Sequence, residues 1–246
     1  MMFLGDTHGN RGFCKRAIDV ASDLRISRIV QVGDFGYWPR TNNGNRFLHD
    51  VGKHAKERGV EWYWLAGNHE DYTALQGLCT KSSDKFITHG KYPLHHIRNG
   101  ASWIWDGVRF GCFSGAYSID RKFRVEGSGE YGWFAGEMPD ESLIDGLGSV
   151  DVLLTHDSPI IPPSMYGARF KDDSTSRESQ ASVYRALVAT DARLLVHGHW
   201  HLREQYGVHR ARVQALDMDQ AGLAAAAAVF DPATRKLFTL DEWGYR

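Results

Sequence analysis

Eight side chains able to bind a metal ion follow short apolar runs of the sequence, mostly beside a glycine. They are Asp6, His8, Asp34, Asn68, His69, His156, His197 and His199. Imidazole nitrogens together with carboxylate and amide oxygens suit a transition metal, whereas calcium prefers oxygen ligands alone. None of these positions is a cysteine, which disfavours a structural zinc site. The residue types therefore indicate a transition-metal centre.

The elements that must hold these side chains alternate between strands and helices. Apolar runs predict strands at 1–4, 28–32 and 60–66, and helical spacing predicts helices at 11–24 and 46–58. This order predicts right-handed crossovers and a largely parallel sheet. The remaining predicted elements are hairpins within 92–113, strands at 150–154 and 194–196, a helix at 178–189, and a terminal hairpin with its turn at 231–234.

Because the eight side chains follow the ends of predicted strands, we expect them to meet at one edge of the sheet. In open α/β sheets, the crevice beyond the carboxyl ends of the strands is where ligands bind. Taken singly, each piece has an ordinary explanation, since Gly5-Asp6 is a common turn and Asn68 could cap a helix. The ordered occurrence of the whole set argues against that explanation.

The overall composition excludes several classes of protein. A length of 246 residues with 42% hydrophobic and 24% charged side chains is not that of a disordered, collagenous or coiled-coil chain. The formal net charge of -1 disfavours a general electrostatic nucleic-acid binder. Cys14, Cys79 and Cys112 lack any CxxC spacing and are predicted to be reduced thiols. With no membrane-length apolar run and no expected signal peptide, the protein is predicted to be soluble and cytoplasmic.

Five sequence blocks together resemble the motif series of the calcineurin-like metallophosphoesterases. They are Gly5-Asp6-Thr7-His8-Gly9, Gly33-Asp34, Gly67-Asn68-His69-Glu70, Thr155-His156-Asp157, and Gly198-His199-Trp200-His201 with His197 directly before it. The blocks span residues 5–201, and the ordered set is far more specific than any one block. The resemblance implies an α/β fold, a four-layer α/β/β/α sandwich with mixed sheets and a two-metal site between them. We find no linker or repeat, and we expect residues 1–246 to form a single domain.

The resemblance also implies a ligand set for two divalent ions. Asp6, His8 and His199 would hold the first ion, Asn68, His156 and His197 the second, and Asp34 would bridge both. Two ions roughly 3.5–4 Å apart can clamp the attacking and leaving oxygens of an in-line displacement, and a water between them is acidic enough to act as hydroxide. Manganese is the expected metal, with iron, zinc, nickel and cobalt as alternatives.

Asp34 and His69 are the predicted catalytic residues, and His69 would face the substrate phosphate as a general acid. One position departs from the family pattern. Tyr37 stands where the family commonly has an aspartate that orients this histidine. A carboxylate there would favour protonated His69, whereas a tyrosine brings no negative charge near pH 7. Either His69 is a weaker acid than in the family's phosphatases, or Glu70 takes the place of the aspartate.

The segment 114–140 is rich in glycine and aromatic residues without clear periodicity, and it is predicted to be a long loop on the substrate side. It contains Tyr117 and Arg121, which together with Arg11 are the predicted substrate-binding residues. A guanidinium matches the oxygens of a phosphate in a bidentate manner. The ordinary alternative for each arginine is a solvated surface side chain.

These features predict a metal-dependent phosphoesterase, with a phosphodiesterase acting on phosphodiesters or cyclic nucleotides favoured. A protein or small-molecule phosphomonoesterase is the alternative within the class, and a nuclease comes next, although the neutral charge gives it no help. A non-catalytic scaffold protein of the same fold is the alternative from another class. In such a protein, decay of the metal site should have removed ligands, whereas every expected ligand is present here. The expected partner is a phosphoester substrate of nucleotide or RNA origin, with no membrane and no clear protein partner.

Overall fold

The first third of the chain folds as alternating strands and helices because its apolar residues follow those two periods. Strands β1 (Met2–Leu4), β2 (Arg28–Gln31) and β3 (Glu61–Trp64) run parallel, and helices α1 (Arg11–Asp23) and α2 (Asn42–Arg58) connect them. The computed structural model describes residues 1–130, 132–166 and 174–245. It confirms these five predicted elements.

Local capping explains where the two connecting helices begin and end. The side chain of Asn10 accepts a hydrogen bond from the backbone N–H of Phe13 at the start of α1. The side chain of Thr41 does the same for Gly44 at the start of α2. Helix α2 ends at Gly59, whose φ of 68° is in the left-handed region that a glycine adopts without strain.

The middle of the chain adds a helix and four strands. They are α3 (Tyr72–Cys79), β4 (Phe86–Thr88), β5 (Leu94–Ile97), β6 (Ser102–Trp105) and β7 (Val108–Phe113). Strands β6 and β7 form the predicted hairpin, whereas β5 pairs in parallel with β3 and antiparallel with β4. The segment 114–140 follows, and its described residues form only short 3-10 turns, at Arg121–Phe123 and Ala135–Glu137, and an isolated bridge.

The next part of the chain again alternates between helix and strand. It contains α4 (Ile144–Leu147), β8 (Val152–Thr155), α5 (Ser174–Thr190) and β9 (Leu194–His197). The remaining elements are β10 (Glu204–Val208), β11 (Ala211–Ala215), α6 (Leu223–Ala226), β12 (Ala227–Asp231) and β13 (Lys236–Phe238). The hairpin of β10 and β11 carries alternating polar residues and was not predicted, whereas the terminal hairpin of β12 and β13 was.

The strands form two mixed sheets that pack face to face. One sheet has the order β13-β12-β1-β2-β3-β5-β4, and the other has the order β10-β11-β9-β8-β7-β6. Phe3 and Val30 of the first sheet meet Phe110 and Val196 of the second in one buried cluster. Two further clusters pack the outer faces against helices, with α1 and α2 on the first sheet and α5 on the second. This is the four-layer α/β/β/α sandwich that the sequence analysis expected.

This arrangement brings the ends of parallel strands from both sheets to one edge. Strands β1, β2 and β3 run parallel in the first sheet, and β7, β8 and β9 run parallel in the second. The loops that follow them therefore face each other across the gap between the sheets. Among the described residues, no helix combines the length and apolar character needed to cross a bilayer. The three cysteines are free thiols, as predicted.

Candidate metal centre and catalytic site

Asp6 and Asp34 form the floor of the site, and both carboxylates are buried. Asp6 follows β1 and Asp34 follows β2, and the two loops are tied together because the backbone N–H groups of Thr7 and His8 both donate to the carbonyl oxygen of Asp34, at 3.1 and 2.8 Å. His8 and Asp34 have φ values of 44° and 55°. Non-glycine residues rarely adopt this left-handed conformation, which is concentrated at functional sites.

A first group of possible metal ligands consists of Asp6, His8 and His201, which each offer one ligand atom within 4.8 Å of the others. The Nε2 atom of His201 lies 3.2 Å from Oδ2 of Asp6. The Nε2 atom of His8 lies 4.0 Å from the same oxygen and 3.6 Å from Oδ2 of Asp34. His201 was not among the residues selected from the sequence.

A second group consists of Asp6, Asp34 and His156, again with ligand atoms within 4.8 Å of one another. The Nε2 atom of His156 lies 3.4 Å from Oδ1 of Asp34 and 3.0 Å from Oδ1 of Asn68. Asp6 belongs to both groups, and Asp34 of the second group also lies 3.6 Å from His8 of the first. The predicted residues Asp6, His8, Asp34, Asn68 and His156 are all brought together.

Hydrogen bonds outside the cluster fix which atoms face it. The Nδ1 atom of His156 donates to the carbonyl oxygen of Val32 at 2.8 Å, so Nε2 is the ring nitrogen directed toward the site. The amide nitrogen of Asn68 donates to Oγ of Ser118 at 2.9 Å, so its oxygen faces His156. The Nδ1 atom of His8 lies 3.2 Å from Oδ1 of Asp219, a partner that sequence reasoning missed and whose side chain is 6% exposed.

Two glycines of the motifs are required by the close approach of these ligands. A Cβ on Gly67 would lie 2.2 Å from Oδ1 of Asp34 and 2.7 Å from Nε2 of His156. A Cβ on Gly198 would lie 2.0 Å from Oδ1 of Asp6. Any larger residue at either position would displace a candidate ligand.

His197, like Asn68 and His199, is a predicted ligand that belongs to neither group. It is the last residue of β9, its Nδ1 lies 2.9 Å from the carbonyl oxygen of Gly198, and its Nε2 lies 2.9 Å from the hydroxyl of Tyr206. Burial lowers its pKa to about 4, which keeps the ring neutral. Both ring nitrogens of His197 therefore have partners outside the two groups.

His199 and His201 occupy the positions that the sequence analysis gave to His197 and His199. The rings of His199 and His156 are 5.0 Å apart, and the backbone N–H of His199 lies 3.1 Å from both carboxylate oxygens of Asp6. Both His199 and His201 have positive φ, at 66° and 48°. His201 is thus a member of the first group, and the ring of His199 lies beside His156 of the second.

The donor set fits two divalent cations. Burial by itself lowers the pKa of His8 and of His156, but the nearby carboxylates outweigh it and raise these values to about 9 and about 10. The same contacts hold the pKa of Asp34 well below its ordinary value, against the effect of burial. The cluster therefore requires positive charge, and divalent ions bound by neutral imidazoles would supply it in place of these protons.

His69 lies beside this cluster with its backbone N–H donating to Oδ1 of Asp34 at 2.8 Å. Its Nε2 lies 2.7 Å from Nη2 of Arg124, a residue not selected from the sequence. Burial lowers the pKa of His69 to about 4, and the guanidinium of Arg124 adds to the lowering against the opposing carboxylate of Asp34. The same ring nitrogen lies 3.9 Å from Oδ2 of Asp34, so the imidazole lies between the Arg124 guanidinium and the bridging carboxylate.

Neither Tyr37 nor Glu70 replaces the family's aspartate. The hydroxyl of Tyr37 lies 3.2 Å from Nδ1 of His89, away from His69. The two carboxylate oxygens of Glu70 accept hydrogen bonds from the backbone N–H groups of Gly36 and Gly67, at 3.1 and 2.5 Å. Burial and the neighbouring Asp34 raise the pKa of Glu70 to about 7. Glu70 therefore holds the loops of Gly36 and Gly67 together.

A pocket of about 290 Å³ opens over the cluster. Its lining residues are Asp34, Asn68, His69, Ile119, Asp120, Arg124, Met165, Ser176, His199, Trp200 and His201. The predicted loop contributes Ile119, Asp120 and Arg124, so segment 114–140 does border the site.

None of the three residues predicted to bind substrate lines this pocket. Arg11 is half exposed and pairs with Asp50 of α2 at 2.7 Å, and Tyr117 is 9% exposed. The guanidinium of Arg121 lies 4.1 Å from the ring centre of Trp133. The side chains of Arg11 and Arg121 are thus directed toward Asp50 and Trp133, and the role predicted for the three residues stays a prediction.

The chain belongs to the calcineurin-like phosphoesterase family, whose sequence model matches residues 1–203. Members of this family are phosphoester hydrolases with a binuclear metal centre, for which the two ligand groups provide candidate residues. A comparison with curated protein sequences found no match.

Solved structures share the fold at low sequence identity. The protein TT1561 of Thermus thermophilus has a TM-score of 0.58 at 11% identity, with 97% of each chain covered. A dimetal phosphatase from Danio rerio has a TM-score of 0.52 at 13% identity, covering 93% of this chain and 91% of that one. The phosphopantetheinyl hydrolase of Mycobacterium tuberculosis has a TM-score of 0.50 at 14% identity, covering 89% and 90%. These similarities establish the fold alone.

Proposed function

We propose that this protein is a manganese-dependent phosphodiesterase acting on a phosphodiester of nucleotide or RNA origin, including cyclic nucleotides. The observation that carries the proposal is the pocket itself, whose lining combines members of both ligand groups with apolar side chains. A phosphoryl group placed over the cluster would have organic substituents that extend along this lining.

The metal-binding roles follow from the geometry of the cluster. Asp6, His8 and His201 would hold one ion, Asn68, His156 and His199 the other, and Asp34 both. When bound, such ions polarise the phosphoryl oxygens and acidify a coordinated water. The mixed nitrogen and oxygen ligands accept manganese, and they also accept iron, zinc, nickel and cobalt.

The protein's own contribution is to place His69 and Arg124 on one wall of the pocket. The backbone N–H of His69 donates to Oδ1 of Asp34 at 2.8 Å, and this hydrogen bond holds the residue beside the cluster. When protonated, the ring could donate a hydrogen bond to the leaving oxygen or to the developing negative charge in place of accepting one from Arg124. Burial lowers the pKa of His69 to about 4, so little of its protonated, acidic form is present near neutral pH, which suits substrates whose leaving group needs little assistance.

Apolar side chains in the pocket lining support a diester over a monoester. Ile119, Met165 and Trp200 line the pocket beside the cluster, and Ile119 is 57% exposed. A diester carries an organic group on both sides of phosphorus, and one of these groups would lie on this apolar surface. A nucleobase is a suitable group, because its flat face stacks on aromatic side chains.

Hydrolysis of bis-p-nitrophenyl phosphate and of p-nitrophenyl phosphate, measured side by side with added manganese, tests the proposal. We expect the wild type to prefer the diester and Asp34→Ala to lose that activity. Asp23→Ala is the matched control, because it removes an exposed carboxylate from α1, outside the pocket lining. Preference for the monoester would instead establish a phosphatase, and hydrolysis of neither compound would contradict the proposed activity.

A further inference from the structure

Arg124 is an almost buried cation in the wall of the pocket. Its side chain is only 7% exposed, although it lies in a loop that follows a 3-10 turn. It lines the pocket together with His69 and Asp34, so the guanidinium is presented to the space above the metal-ligand cluster. An arginine rarely occupies such a buried position without a defined set of partners.

The guanidinium is held in one orientation by its own loop. Its Nε lies 2.9 Å from Oδ2 of Asp120, and its Nη2 lies 2.6 Å from Oδ1 of the same carboxylate. This bidentate pair fixes the plane of the group. On the other side, Nη1 lies 3.3 Å from Oγ of Ser118, which also accepts a hydrogen bond from Asn68 at 2.9 Å. The arginine is thereby connected to a candidate metal ligand.

The edge of the guanidinium that is directed toward the pocket contacts His69 and no carboxylate of the described residues. Nη2 donates to Nε2 of His69 at 2.7 Å, and this neutral ring is its only inward contact among the described residues. One N–H of Nη1 has no partner within the described part of the chain. The single carboxylate of Asp120 is 49% exposed and lies on the outer side. The inward edge therefore remains able to bind an anion.

We propose that Arg124 is a substrate-binding residue whose guanidinium contacts the non-bridging oxygens of the substrate phosphate, with Asp120 as its positioning residue. This inference rests on the proposed phosphoesterase function. The planar N–H donors of a guanidinium match phosphate oxygens, and a group already fixed by Asp120 loses little conformational freedom on binding. The oxygens would take the Nη1 donor and share the Nη2 donor that contacts His69.

A purely structural role for Arg124 makes a different prediction. If the arginine only fastens residues 118–124 to His69, its removal would loosen the loop and lower turnover, but it would leave the affinity for free phosphate unchanged. A substrate-binding role requires the affinity for inorganic phosphate itself to fall. Phosphate affinity is therefore the measurement that separates the two roles.

The test uses the manganese-loaded full-length protein as wild type, Arg124→Gln and Arg124→Lys. Lys122→Gln is the matched control, because it removes an exposed cation two positions away that lies over the ring of Phe123. KM and kcat for bis-p-nitrophenyl phosphate are measured, together with the dissociation constant of inorganic phosphate by calorimetry. Thermal unfolding of each variant confirms that it is folded.

We expect Arg124→Gln to raise KM and the phosphate dissociation constant by roughly tenfold or more, in line with the loss of charge-assisted hydrogen bonds. Arg124→Lys should show a smaller increase, because it retains the charge but not the planar donors. Lys122→Gln should match the wild type. If Arg124→Gln does not fold, the graded effect of Arg124→Lys on phosphate affinity decides the question.

Unchanged phosphate affinity in Arg124→Gln or Arg124→Lys would overturn the proposal, as would a wild type that binds no phosphate. These outcomes are distinguishable from failure of the proposed function. A wild type that hydrolyses neither nitrophenyl ester contradicts the phosphodiesterase assignment, whereas the calorimetric comparison still shows whether Arg124 binds phosphate.

Discussion

His201 and Asp6 lie on opposite sides of the gap between the sheets, and the Nε2 atom of His201 is 3.2 Å from Oδ2 of Asp6. Asp6 follows β1 of the first sheet, and His201 follows β9 of the second. Asp34 and His156 form the same kind of contact between the sheets at 3.4 Å. The candidate metal centre therefore connects the two halves of the sandwich, and metal binding and stability should be coupled.

Removing the metal should lower the stability of the fold. An ion that binds only the native state at about 100 times its dissociation constant stabilises the protein by about 2.7 kcal/mol. We expect the unfolding temperature to fall on chelation and to recover when manganese is added back. Asp34→Ala should show a much smaller response. An identical unfolding temperature with chelator and with excess manganese would contradict a metal site between the sheets.

His69→Ala should separate chemistry from metal binding. The ring of His69 lines the pocket, but neither ligand group includes it. We expect the variant to retain its metal and to lose roughly 10²- to 10⁴-fold in turnover, the usual contribution of a general acid. Elemental analysis and steady-state kinetics on the same sample give both quantities. Loss of metal would show instead that His69 is a ligand.

Asp219→Asn should weaken metal binding without removing a ligand. Asp219 lies 3.2 Å from Nδ1 of His8 and also accepts a hydrogen bond from Asn10 at 2.7 Å. Partners of this kind fix the orientation of a ligating imidazole, and their mutation typically lowers metal affinity roughly 10- to 100-fold. Titration of the metal-free protein with manganese measures this change. Affinity equal to that of the wild type would show that Asp219 does not position His8.

Burial of His96 should make the free energy of unfolding depend on pH below about 7. It is buried on β5 with its ring 4.5 Å from that of Trp64, and its Nδ1 has no hydrogen-bond partner among the described residues. Burial lowers its pKa from 6.5 to about 3. Between these values the unfolded chain binds the proton that the folded chain excludes, so stability is full above the unfolded pKa and falls as the pH decreases.

From pH 7 to pH 5 this histidine should remove about 2 kcal/mol of unfolding free energy. The His96→Phe variant keeps an aromatic ring but has no titrating group at this position. Its free energy of unfolding should therefore decrease by about 2 kcal/mol less than that of the wild type over the same pH range. Urea unfolding of both proteins, each with chelator so that the site histidines contribute equally, measures the difference. Parallel pH dependence in the two proteins would contradict this account of His96.

The placement of most of the site could be predicted from sequence because it depends on strand ends. Asp6, Asp34 and His156 follow β1, β2 and β8, whose apolar runs are visible in the sequence, and the parallel order of the strands brings their ends together. The choice among His197, His199 and His201 depended on where β9 ends. His197 still lies in the strand, and the turn that directs the other two toward the cluster requires positive φ, which residue type does not show.

The spacing of the last motif was the one available signal for His201. Gly198-His199-Trp200-His201 repeats the two-residue step of Asp6 and His8, which places alternate side chains of a turn around one ion. Arg124 had no comparable signal. Its contact with His69 depends on the path of a loop without periodicity, and Arg121, three residues earlier, has the same side chain directed at Trp133 instead.

Metal content of two neighbouring histidine variants tests the revised site most directly. His201→Ala and His197→Ala differ by four positions, and each is compared with the wild type by elemental analysis after dialysis against manganese and then buffer. We predict about two ions per chain for the wild type and for His197→Ala, and about one for His201→Ala. His197→Ala should lose stability only, because it leaves the Tyr206 hydroxyl without its partner at 2.9 Å. Loss of an ion from His197→Ala, with two ions retained by His201→Ala, would contradict the ligand set on which the proposed function rests.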